Sequence, residues 1–123
     1  MPVIRAADAP SVELPGRTSA NPLPAALGRA AGVSLRVVEI PPGPRTPHRH
    51  PHSCEVVYVA AGRGRVWEGE RSTSVAPGDV VLVEPGVPHA TVCTSAEPMR
   101  LVCFFPHPDL GDNIEEMDAE LRT

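Results

Sequence analysis

The segment Pro47-His48-Arg49-His50-Pro51-His52-Ser53-Cys54-Glu55 gathers three of the chain's five histidines and one glutamate into nine positions. Side chains alternate between the two faces of a strand, so His48 and His50 project together and their rings converge on one point. A turn at Pro51 brings Glu55, at the head of the following strand, back beside them. His52 continues the 48–50 parity and is an alternate ligand by that count. The spacing from His50 to Glu55 favours instead a loop position for His52, outside the first set of ligands. A second cluster, Pro85-Gly86-Val87-Pro88-His89, sets a fourth histidine just after a tight turn, at the start of a strand. Three imidazoles and one carboxylate form a mixed N/O set that suits Fe, Mn, Ni, Cu or Zn rather than Ca or Mg.

Outward from these clusters the chain reads as strand, turn, strand. Its 16 prolines and 10 glycines are spread along the whole length, so elements must be short. Strands are expected at 33–40, 55–60, 64–68, 71–75, 80–83, 89–93 and 99–105, with Gly69 marking a hairpin. Many short strands with turn chemistry between them indicate an all-β sandwich or barrel. Only two stretches lack proline for long enough to form helix. One is the short 25–31. The other is 113–122, where Ile114, Met117 and Leu121 recur at helical spacing behind a capping Asp112 or Asn113. Residues 1–32 are a Pro-rich polar leader, either an ordered arm or a loose tail.

The two histidine clusters resemble the paired motifs of the cupin superfamily. The first motif, G-x5-H-x-H-x(3,4)-E-x6-G, is matched by Gly43-PRTP-His48-R-His50-PHSC-Glu55-VVYVAA-Gly62, with the leading glycine one residue close. The second, G-x5-P-x-G-x2-H-x3-N, is approached by Gly78-DVVLVE-Pro85-Gly86-VP-His89-ATV-Cys93, shifted by one at Pro85 and ending in Cys93 instead of asparagine. The resemblance covers roughly 33–106. It implies a single jelly-roll-like barrel with a Pro-rich arm at 1–32 and a C-terminal tail at 107–123 that holds the short helix. It also implies metal ligation by His48, His50, Glu55 and His89, and a homodimer. Small barrels have edge strands that need cover, and the leader is a candidate to supply it.

Strand parity sorts the remaining candidates. Thr91 and Cys93 share a face with His89 and are expected on the cavity wall. Trp67 shares a face with Arg63 and Arg65 and lines either a pocket mouth or a sheet interface. Tyr58 is opposite in parity to Glu55 and is expected outside the barrel. Strand 99–105 has two phases: Leu101, Cys103 and Phe105 inward, or Arg100, Val102 and Phe104 inward. An apolar interior predicts the first, whereas the second offers Arg100 to an anionic substrate.

Composition narrows the function. The 123 residues fit one domain, and the net charge of −4 with no Lys/Arg run argues against a nucleic-acid partner. The apolar run from 56 to 61 falls far short of a membrane span, and the N-terminus shows no secretory h-region. Three cysteines without a C-x-x-C pair fit a reduced, cytoplasmic protein. With four protein ligands, a six-coordinate ion keeps two positions for a small-molecule substrate or dioxygen. The expected activity is metal-dependent chemistry on a small organic metabolite, dioxygenase-type oxidation first. Isomerase, cyclase or lyase chemistry, with Glu55 moving protons, or simple metabolite or sugar binding are the alternatives. Retention of the glutamate separates the site from that of the thiol dioxygenases.

Overall fold

The computed structural model describes all 123 residues. In chain order the strands are β1 (Ser11–Leu14), β2 (Arg17–Ala20), β3 (Ser34–Ile40), β4 (His48–Arg49), β5 (Glu55–Ala61), β6 (Gly64–Glu68), β7 (Arg71–Val75), β8 (Val80–Val83), β9 (His89–Cys93), β10 (Met99–Phe105) and β11 (Glu115–Glu116), with one α-helix, α1 (Ala25–Ala31). The seven expected strands all form, within one residue at either end. They build two antiparallel sheets, β1-β2-β3-β10-β5-β8 and β11-β4-β9-β6-β7. No helix is long and apolar enough to cross a membrane.

The core lies between the sheets. Val38 and Ile40 of β3, Val57 and Val59 of β5, and Met99, Leu101, Cys103 and Phe105 of β10 form one buried cluster. Strand β10 therefore takes the apolar-inward phase, and Arg100 is exposed opposite Glu39 on the outer face. Burying a guanidinium there without a partner would cost more than leaving it in water. Tyr58 is 48% exposed on the same outer face, as parity requires. Strands β6 and β9 approach so closely that a Cβ at Gly64 would collide with the Val92 carbonyl oxygen and the Met99 sulfur.

Both ends of the chain are built into this frame. The leader is an ordered arm: β1 and β2 form a hairpin that pairs with β3, turning at Gly16 with φ 68°. Pro10, Pro15, Pro22 and Pro24 stand at the ends of these elements, where no ladder N–H is needed. Helix α1 closes on Gly32, left-handed at φ 74°.

The expected C-terminal helix at 113–122 does not form. Glu115 and Glu116 pair instead with Arg49 and His48 as β11, and Arg122 bridges back to Arg45. A ten-residue helix is marginal on its own, whereas the open edge of β4 offers ready backbone partners such as Pro47 O for Met117 N. Ile114, Met117 and Leu121 do not share a face. Ile114 lines the interior, Met117 lies in an outer groove and Leu121 is 56% exposed.

Candidate metal centre and its pocket

Strands β4 and β9 place His48 directly opposite His89 in register. His50 follows one residue after β4, and Glu55 opens β5 after the bend at 51–53. Ring centroids lie 4.5 Å apart for His48 and His89, 5.0 Å for His48 and His50, and 5.2 Å for His50 and His89. One ring nitrogen from each of the three falls within 4.8 Å of the others. All three rings are buried, and Phe105 packs edge-on against His50 at 4.7 Å.

Two contacts fix how these rings present themselves. His50 Nδ1 lies 2.8 Å from the Asn113 carbonyl oxygen, and His89 Nδ1 lies 2.9 Å from that of Val87. A carbonyl only accepts, so each Nδ1 carries a proton, and in the neutral ring that a metal requires each Nε2 is left with a lone pair. Both Nε2 atoms then face Glu55 Oε1, at 3.3 Å from His50 and 3.2 Å from His89. His50 Nε2 and His48 Nδ1 are buried and have no hydrogen-bond partner. Three acceptor atoms thus converge on one spot, an arrangement that calls for a cation between them. Outer carbonyls that hold metal-binding imidazoles in this way are a recurring feature of metal sites. His48, His50 and His89 form a group that could hold a divalent metal ion, with the Glu55 carboxylate beside two of them.

The electrostatics agree. In the metal-free protein burial raises the Glu55 carboxyl, but hydrogen bonds that His50 and His89 donate in their protonated form, and the charge of those rings, override it and hold the carboxyl well below the usual range; a metal ion would take the place of the two Nε2 protons. His48 is pushed well below the ordinary imidazole value by burial and by the neighbouring His89. Both shifts keep ligand atoms deprotonated, as metal binding requires. The Cys103 thiol is pushed up by burial and by Glu55, and so stays neutral.

A cavity of about 40 Å³ adjoins the centre. The four candidate ligands and Thr91 line one part of it; Leu14, Arg17 and Ser19 from the arm, and Leu110 and Ile114 from the tail, line another. Of the expected wall residues, Thr91 is therefore in place. Cys93 is not. It lies two residues farther along β9, roughly 7 Å beyond Thr91, and its thiol contacts the Glu97 carbonyl at 3.2 Å. Strand β9 is buried on both faces, so parity could not distinguish pocket from core. Trp67 lies in an outer groove with Arg122 stacked over its ring at 5.2 Å, away from the central cavity. Arg100 lies outside too. The His52 side chain is exposed and stacks on His107, while its backbone N–H donates to Asn113 Oδ1 at 2.8 Å.

Three residues of the site carried no functional reading in the sequence. Asn113, expected as a helix cap, is 0% exposed and its Nδ2 donates to Ser53 Oγ at 2.8 Å, which locks the loop that carries His52 to the tail. Arg45 lies three residues before His48 and is 4% exposed. Arg17 is 6% exposed and pairs with Glu116 at 2.7 Å. A lone charge between Pro44 and Pro47 was the only available signal for Arg45; Arg17 and Asn113 gave none.

A family model for the cupin domain matches residues 36–105, more than half of the chain. An uncharacterised protein of Methanocaldococcus jannaschii is 30% identical over 86 residues, covering 69% of each chain. Among solved structures, the Lactobacillus farciminis oxalate decarboxylase formate complex superposes with a TM-score of 0.76 at 23% identity, covering 90% of this chain and 34% of that one. A Thermotoga maritima protein described as a predicted oxalate decarboxylase gives 0.73 at 17% identity, covering 84% and 96%. The Bacillus subtilis oxalate decarboxylase, studied for its Mn(II) centers, gives 0.73 at 19% identity, covering 87% and 29%. The chain spans about a third of the Lactobacillus and Bacillus chains. At these identities the likeness is one of fold.

Proposed function

The chain belongs to the cupin family, and from that premise we propose that it is a metal-dependent enzyme acting on a small organic molecule at a mononuclear centre. The observation that carries the proposal is the convergence of His50 Nε2, His89 Nε2 and Glu55 Oε1 with both Nδ1 protons committed to backbone carbonyls. When bound, a divalent ion would supply Lewis-acid or redox chemistry to a substrate in the cavity. Manganese is the favoured ion, by likeness to the Bacillus enzyme with its Mn(II) centers.

The chain's own groups divide the remaining work. Glu55 is held ionised, which suits a carboxylate that would help hold the ion rather than one that takes up a proton. Cys103 is held as a neutral thiol and takes no nucleophilic part. Leu14, Leu101, Phe105, Leu110 and Ile114 exclude water from the reacting end of the cavity. Carbon–carbon lyase chemistry is favoured over dioxygenase chemistry, because the similar folds include oxalate decarboxylases.

The test is turnover by the metal-reconstituted protein, following carbon dioxide release and oxygen uptake together, with His89→Ala as control. Release without net uptake supports the lyase, and stoichiometric uptake assigns the oxygenase instead. Wild-type protein without a stoichiometric transition metal, behaving like His89→Ala in every assay, would contradict the proposal as a whole.

A homodimer is part of the same reading. Tyr58, Val80, Leu82 and Phe104 are exposed on the outer face of the six-stranded sheet, where Val80 pairs with Tyr58 and both Leu82 and Phe104 flank Val56. A contiguous apolar patch of this kind marks an association surface, and a second copy presents its match. Size exclusion at low micromolar concentration would show a dimer that Leu82→Glu converts to monomer; wild-type monomer would contradict it.

A further inference from the structure

Two strand edges are left unpaired side by side. Strand β7 ends the five-stranded sheet, β8 ends the six-stranded one, and no ladder joins them. Residues 76–79 connect the two, so the sheets part from that turn outward. Between them lies a cleft in two adjoining parts, of about 380 Å³ and about 260 Å³. Val66 and Val81 line both parts, Val75 the first, and Val83 and Val87 the second. This floor is buried or half-buried, whereas the charged lining residues Glu68, Arg71 and Glu84 are exposed at the rim.

Strand register carries the cleft to the metal-binding rings. On the inner face of the five-stranded sheet, His48, His89, Glu68 and Arg71 stand in one row on four neighbouring strands. On the facing sheet, Val83 pairs with Glu55. His89 lines both the cleft and the closed cavity, so the two meet at its ring. The far side of the closed cavity is shut. Leu14 from the arm and Leu110 and Ile114 from the tail cover it, and Arg17 ties arm to tail through Glu116 at 2.7 Å. At about 40 Å³, against roughly 10–15 Å³ for one water on the same measure, that cavity holds only a few heavy atoms. The larger part of the cleft, at about 380 Å³, falls within the roughly 300–1,000 Å³ of small-molecule pockets. A concave valine floor that ends at a metal-binding ring suits a molecule with a polar head and an apolar body.

We propose that the cleft between β7 and β8 is the route of approach and the binding groove for the substrate's apolar body, an alkyl chain or a single ring lying over Val66 and Val81 with its polar end at His89. The inference rests on the metal-dependent reading above and gives it a substrate class, an amphipathic small molecule too large for the closed cavity alone.

The experiment titrates metal-free protein with 1-butanol, 1-hexanol and 1-octanol, read by backbone NMR shifts at Val66, Thr73 and Val81. Each added methylene should strengthen binding about fourfold, the worth of burying one CH₂. Thr73 is exposed and lines the cleft, so Thr73→Trp fills the groove without touching the core. It should weaken 1-octanol by about tenfold or more, the worth of two methylenes. Ser74→Trp sets the same ring on the opposite face of β7 and should bind as wild type does. Affinity that does not grow with chain length would overturn the inference, as would Thr73→Trp binding like wild type or Ser74→Trp losing as much. Thr73→Trp that splits a wild-type dimer, in a chain that binds no alcohol, would give the cleft to a second copy and overturn it too. In Co(II)-loaded protein 1-octanol should shift the visible absorption, because its hydroxyl end meets His89; an unchanged spectrum at saturation would overturn that placement. The two readings fail separately. Cobalt uptake without alcohol binding sinks the groove alone. Chain-length-dependent binding in a protein that takes up no cobalt supports the groove and sinks the metal centre alone.

Discussion

The lining that carries His48, His50, Glu55 and His89 comes from the middle of the chain, on β4, β5 and β9, whereas Leu14, Arg17, Leu110 and Ile114 come from its two ends. The middle supplies polar atoms that converge on one spot, positioned by strand register such as His48 opposite His89. The ends supply apolar cover and outer supports. Asn113 joins the two, since its carbonyl fixes His50 and its side chain ties down the 52–53 loop. The difference teaches that, on the proposed reading, the middle would determine which ion can bind, while the ends would determine how firmly its ligands are aimed and what reaches them.

Breaking the middle should have the largest effect. His50→Ala should cost more metal affinity than the roughly 10–100-fold typical of losing an outer support, measured by competition with a chelator. Asn113→Ala tests the junction. It should cost about 1–3 kcal/mol of stability because Ser53 Oγ and His52 N–H lose their buried partner. The backbone carbonyl that accepts from His50 is kept, so metal affinity should fall by less than the roughly 10–100-fold of a lost outer support; a loss as large as that of His50→Ala would mean that the side chain, and not the carbonyl, aims the ring.

Acid sharpens the contrast, because the shifted groups sit in the middle. In metal-free protein His48 and Glu55 both have folded pKa values below their ordinary values of 6.5 and 4.5. As pH falls past each ordinary value, the unfolded chain takes up a proton that the folded chain refuses. The stability these groups lend is therefore full above those values and is lost on acidification, by up to about 1.4 kcal/mol per pH unit per group. Urea midpoints of the metal-free protein should fall between pH 7 and pH 4 at constant m-value; a flat profile would mean the rings are not shielded. The smallest effect belongs to His52→Ala, which should change metal affinity by less than about twofold because its ring is exposed beside His107. A loss as large as that of His50→Ala would place His52 among the ligands.

These contrasts follow how much of the molecule was legible in the sequence. The strands of the middle announce themselves by β-branched runs between Pro and Gly turns, and all seven formed where expected. The histidine triad was legible because one parity rule and one register place all three rings. The ends were harder to read. Helical spacing at Ile114, Met117 and Leu121 was a true local pattern, but the free edge of β4 outcompeted it. The arm's hairpin was hidden by prolines that turned out to flank its strands. Cys93 failed as a wall residue because β9 is buried on both faces, which parity cannot detect. Arg45, Arg17 and Asn113 take their roles from contacts made across more than 45 positions of chain, such as Arg45 to Thr91 and Arg17 to Glu116. No local pattern encodes those.

The central claim is that His48, His50, His89 and Glu55 hold one metal ion. Titrating metal-free protein with Co(II), and following its visible ligand-field absorption, tests this most directly. The account predicts saturation at one equivalent per chain, loss of the signal in each His→Ala variant, and a shifted spectrum in Glu55→Gln. Wild-type protein that develops no signal, or His→Ala variants that saturate as wild type does, would contradict it.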